Sequence, residues 1–146
     1  MKKFITAFLL LAIAIIPMAA RDRVTTNVKE LPATAQATLN RYFAKQKVNH
    51  IKIDHKTFGG SEYDVVLDNG TEIDFDSNGN WKEIDFGMNK VPDGILLKPI
   101  ADYIKANFKG SKVTSIEVSR NKYELELSNG LDVEFDRDGT FRRIDR

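Results

Sequence analysis

One stretch of this chain occurs twice without a gap, and that repetition constrains the fold more than any other feature. Residues 63 to 85, YDVVLDNGTEIDFDSNGNWKEID, lie over residues 123 to 145, YELELSNGLDVEFDRDGTFRRID, at an offset of 60. Tyr63, Leu67, Asn69, Gly70, Phe75, Asp76, Gly79, Ile84 and Asp85 are identical to their counterparts 60 residues later. Trp81 stands over Phe141 and Asp74 over Glu134. Upstream, VNHIKI (48 to 53) matches VTSIEV (113 to 118) at an offset of 65, and Leu31-Pro32 matches Val91-Pro92 at 60. The length differences fall before residue 113 and in the HKTFGGSE segment of the first copy, where loops are expected.

Within each copy the apolar period changes from helical to extended. Ala35, Leu39, Tyr42 and Phe43 recur at helical spacing after Pro32, and Ile100, Tyr103, Ile104 and Phe108 do so after Pro99. A proline in the first turn opens a helix without losing a hydrogen bond. Residues 91 to 98 are then a connector. Downstream, Ile51 and Ile53, then Tyr63, Val65 and Leu67, then Ile73 and Phe75 alternate with polar residues, as in strands with one buried face. Asp68-Asn69-Gly70 and Ser128-Asn129-Gly130 are expected as tight turns in which Asn-Gly supplies positive φ. Each copy thus predicts a helix followed by a four-stranded antiparallel meander, with helices on one sheet face and the other face open. The class is α+β, with residues 21–86 as the first repeat and 87–146 as the second.

The residues that build this pattern also carry a resemblance. LP, then an aromatic pair in a helix, then Y-x-x-x-L-x-N-G-x-x-[IV]-x-F-D-x-x-G-x-[WF] resembles the PepSY-like, β-lactamase-inhibitor-like family of exported bacterial proteins. It covers the chain from about residue 28 to residue 146. The resemblance implies a tandem fold like that of the β-lactamase inhibitory protein. It does not imply inhibition of a β-lactamase, because a fold does not specify a function.

Lys2 and Lys3, the apolar run Phe4 to Ile16 and the small residues Ala19 and Ala20 read as a secretory signal peptide over residues 1–20. The alternative, a retained N-terminal anchor, has to contend with a run shorter than the roughly 20 residues that span a bilayer. Removing Lys2 and Lys3 from the 22 basic residues leaves 20 against 21 acidic ones. A near-neutral chain lacks the one-sided basic field that nucleic-acid binding requires. The chain has no cysteine, which excludes disulfides, a thiol nucleophile and thiolate metal sites. A periplasmic or secreted protein is expected, with no membrane contact after cleavage.

Candidates for chemistry are few, and no catalytic residue or cofactor is expected. His50 and His55 point to opposite faces of a strand and cannot chelate one ion together. Asp74 to Gly79 matches the first half of a calcium loop, but position twelve is Asp85 where a bidentate Glu belongs, so a polar hairpin turn is the simpler reading and no metal site is assigned. On the face opposite the core the strands present Asp64, Glu72, Asp74 and Asp76, then Glu124, Glu126, Asp132, Glu134 and Asp136. This is either a solvated polar face or an acidic docking face for a basic partner.

Trp81 and Phe141 lie three residues before Ile84 and Ile144. Regular alternation puts each aromatic on the open face, whereas a β-bulge would turn both inward. The partner-binding candidates are therefore Trp81, Phe141, Glu72, Asp74, Asp132 and Glu134. An exported module that binds a protein or peptide is the leading expectation. A calcium-stabilised envelope protein and a carboxylate-dependent hydrolase are the alternatives, the last weakened by the lack of a nucleophile or base partner.

Overall fold

The computed structural model describes residues 22–145, so the leader expected over residues 1–20 lies outside the described residues. The elements are β1 (Arg23–Thr25), a 3-10 turn (Val28–Glu30), α1 (Ala33–Tyr42), β2 (Val48–His55), β3 (Ser61–Leu67), β4 (Glu72–Phe75), β5 (Trp81–Asp85), α2 (Lys98–Asn107), β6 (Val113–Val118), β7 (Lys122–Leu127), β8 (Asp132–Asp136) and β9 (Phe141–Asp145). Strand order in space equals strand order in the chain, and every neighbouring pair is antiparallel.

The four-stranded units expected from the repeat are not separate sheets. They merge into one open sheet of nine strands, because β5 pairs with β6 through Glu83↔Glu117, Ile84↔Ile116 and Asp85↔Ser115. The ninth strand, β1, was not foreseen. Its three residues pair with Ile51, Lys52 and Ile53 of β2 and cover part of an otherwise open edge.

Both helices begin where proline permits. Pro32 is the N-cap of α1 with φ −53°, and Pro99 sits in the first turn of α2. Ala35 and Leu39 of α1 and Ile100 and Ile104 of α2 are buried in the same core as the inward strand residues. Seven of those strand residues form a row in register, from Ile51 through Val65, Ile73, Ile84, Ile116 and Leu125 to Val133, all essentially inaccessible to solvent. Phe75 and Phe135 are fully buried, as their alternation requires. Each such side chain contributes about 1.5–3 kcal/mol through burial.

The hairpins differ from expectation in one detail. Among the described residues none other than glycine has positive φ, so in this turn Asn69 does not adopt the left-handed conformation and Gly70 does. Leu67 N–H donates to the Thr71 carbonyl and Gly70 N–H to the Leu67 carbonyl, which makes a longer loop closed by a left-handed glycine. Gly79 has a second role. A Cβ there would lie 2.8 Å from both the Ala35 nitrogen and the Pro32 Cβ, so the β4–β5 hairpin tip rests directly on the start of α1.

Candidate functional site

The side of the sheet away from the helices is dominated by carboxylates, and the strand register places them in rows. One row runs Lys52, Asp64, Asp74, Glu83, Glu117, Glu124, Glu134 and Arg143 across β2 to β9. A second runs Glu72 and Asp85, then Ser115, then Glu126, Asp132 and Asp145. Directly opposed residues on paired strands stand about 5 Å apart, and like charges there repel. Cations occupy only the two ends of the first row.

This asymmetry shows in the protonation of the carboxyls. Burial first, and then the charges of Asp64 and Glu83, push Asp74 up to about 6. Burial, followed by Glu117 and Asp85, raises Glu83 as well. At the far end the opposite holds. Arg143 donates to Glu134 Oε1 at 3.0 Å and Lys122 at 2.6 Å, and together they hold Glu134 down to about 2. Asp74 and Glu134 stand at matching positions of the two halves, yet one is an unneutralised acid and the other the centre of an ion-pair cluster. Among the described residues neither Glu83 nor Glu117 has an ion-pair partner.

Of the residues singled out from sequence, Glu72, Asp74, Asp132 and Glu134 do share the open face. Trp81 and Phe141 do not, and their expected placement is corrected. In β5 the register shifts between Asp74 and Phe75, so that Trp81 opposes Phe75, Glu83 opposes Asp74, and Lys82 is the extra residue of a β-bulge. β9 repeats this at Arg142. The bulge resets the alternation, and both aromatics turn toward the helices. Phe141 stacks on Tyr103 of α2 with centroids 4.6 Å apart, and Trp81 packs half-buried against the core. Glu83, Asp85 and Glu117 were missed, although placing Ile84 in the core already implied that 83 and 85 face outward.

His50 and His55 sit on opposite faces of β2, and His55 pairs with the Ser61 hydroxyl at 2.8 Å. The calcium-loop candidate is the β4–β5 turn, in which Asp76 Oδ1 accepts the Asn78 and Asn80 amides. Among the described residues no three acid, histidine or cysteine side chains converge as a metal cage would. No helix there is long and apolar enough to cross a membrane.

A continuous antiparallel sheet with two helices on one face and a bare, charged second face defines the class as α+β. The chain belongs to the PepSY-like family, described as "putative beta-lactamase-inhibitor-like", whose pattern matches residues 61–143. Among solved structures it is similar to a "putative periplasmic protein of unknown function" from Bacteroides vulgatus, with 40% identity and TM-score 0.79 over 86% of this chain and 100% of that one. It is also similar to a "putative calcium-regulated periplasmic protein" from Bacteroides thetaiotaomicron, with 31% identity and TM-score 0.79 over 86% and 97%. A second putative periplasmic protein from Bacteroides vulgatus matches at 32% identity and TM-score 0.77 over 88% and 99%. No curated protein matches the chain. The periplasmic location expected from the leader is the one given to all three structural relatives.

Proposed function

We propose that this is a non-enzymatic binding protein of the cell envelope whose open sheet face docks a basic segment of another protein. The observation that carries this reading is the unbroken carboxylate row Asp64, Asp74, Glu83, Glu117, Glu124 and Glu134, whose middle members Asp74, Glu83 and Glu117 have no ion-pair partner among the described residues. Opposed like charges lower stability. A face that retains them gains when lysines and arginines of a partner supply the missing charge, and such complementarity acts mainly on association rate and selectivity.

The test is titration of the protein with a labelled lysine- and arginine-rich peptide at two salt concentrations. Binding should weaken as salt rises, and Asp74→Lys with Glu83→Lys should abolish most of the salt dependence. Binding that ignores both salt and charge reversal sinks the proposal, as does no binding at all.

A second reading, stabilisation by calcium, draws support from the name of one relative and from the aspartates of the β4–β5 hairpin. A melting temperature unchanged in millimolar calcium removes it.

A further inference from the structure

The helix-covered side is not uniformly filled. On α2, Tyr103 lays its ring flat on Phe141, 4.6 Å between centroids at 11°, and also meets Phe135 edge-on at 5.5 Å. On α1 the same position within an equally long helix is Thr38, and Trp81 stands where Phe141 stands in the other half. Threonine is too short to reach the ring. Among the described residues no aromatic stacks on Trp81, and a groove of about 720 Å³ opens over it between α1 and the β6–β7 end of the sheet.

The walls of that groove are suited to an anion. Arg41 lies over the Tyr42 ring at 5.2 Å, and Arg137 lies over the Tyr123 ring at 4.8 Å while donating to the Ser119 carbonyl at 3.1 Å. Stacking holds each guanidinium in place and leaves donors for an incoming oxyanion. Neither arginine pairs with a carboxylate among the described residues, whereas Lys82, also in the wall, is held by Glu62 at 3.2 Å. The one acid in the lining, Asp76, already accepts the amides of its own turn. The volume falls within the range of small-ligand and peptide-fragment sites.

We propose that this groove is a second binding site, distinct from the acidic face, for a ligand that joins an aromatic ring to a carboxylate or phosphate. The ring occupies over Trp81 the place that Tyr103 fills over Phe141, and the anion reaches Arg41 and Arg137. Offset stacking on tryptophan and charge-assisted hydrogen bonds to guanidinium supply recognition of both ends.

Trp81 is the single tryptophan of the chain, so its emission reports on the groove directly. The probes are N-acetylphenylalanine, N-acetylphenylalaninamide and phenyl phosphate. A saturable change in emission with one or both anionic probes, about tenfold or more tighter than with the amide, is expected from loss of the charge-assisted bonds. The tighter of the two anions identifies the headgroup. Arg41→Gln and Arg137→Gln should each lower that preference, and Thr38→Tyr should abolish binding at an unchanged melting temperature by installing the plug that α2 carries. If Thr38→Tyr fails to fold, the acid-to-amide contrast in the unaltered protein and the two arginine variants decide. Equal affinity for acid and amide, retained binding in a folded Thr38→Tyr protein, or no saturable change with any probe overturns the assignment.

Discussion

Neutralising Asp74 should make this protein more stable, against the usual direction of substitutions in a folded chain. Asp74 sits between Asp64 and Glu83 in the carboxylate row, and the charge of Lys82 offsets their repulsion of it only in part. Its carboxyl titrates at about 6 in the folded chain against 3.8 when unperturbed. Between those values the folded protein holds a proton that the unfolded chain has released. Lowering the pH from 7 toward 4 therefore stabilises the fold through this residue, and raising it through about 6 removes that contribution. Fully expressed, the difference is about 3 kcal/mol; partial solvent access reduces it to about 1–2 kcal/mol. Asp74→Asn is isosteric and uncharged, so it should raise stability by about 1–2 kcal/mol at neutral pH and by much less near pH 4. Urea unfolding followed by far-ultraviolet circular dichroism at both pH values measures this. A destabilised variant at neutral pH, or the same increment at both, would refute the argument. The same substitution should weaken capture of the basic peptide, the trade between stability and function expected of a binding face.

Other outcomes follow from single features. Glu134→Gln should destabilise at neutral pH, since Glu134 is held at about 2 by Arg143 and Lys122; the stability it contributes is present above its ordinary value near 4.5 and is lost as pH falls through about 2, so unfolding curves of the two proteins should converge in strong acid. Gly79→Ala meets φ +83° and a backbone nitrogen at 2.8 Å, and should cost about 2 kcal/mol or more in urea unfolding. Trp81→Ala should cost about 2 kcal/mol, less than the full price of a buried tryptophan, while leaving affinity for the basic peptide within twofold of the parent; loss of peptide binding in a folded Trp81→Ala protein would return that residue to the acidic site.

Much of this fold was legible because its signals are local. Proline fixes φ, so Pro32 and Pro99 marked both helix starts, and alternation named Phe75 and Phe135 as core. What failed was counting by twos past Trp81. One inserted residue flips every later side chain, and the bulge at Lys82 did so between Trp81 and Ile84. Two apolar residues three apart in a strand, found at 81 and 84 and again at 141 and 144, were themselves the mark of that insertion. The merging of two meanders through β5 and β6 lay beyond reach, because pairing across a helical connection is a tertiary choice. So did the carboxylate rows in full, since Glu117 joins Glu83 only through that pairing.

The agreement between chain order and strand order bears on how the molecule assembles. Six of the eight strand pairings join segments linked by a short turn, and each can close as a hairpin on a microsecond scale without waiting for distant partners. Only β1–β2 and β5–β6 require a helix-containing loop to close first, and such closures carry the larger entropic cost. The β5–β6 joint rests on three register pairs, one of which sets Glu83 against Glu117. Against the six hairpin pairings, that joint is therefore late to zip and early to fray. Amide exchange along β5 and β6 should run ahead of that in the hairpin interiors, dividing one sheet into two cooperative folding units.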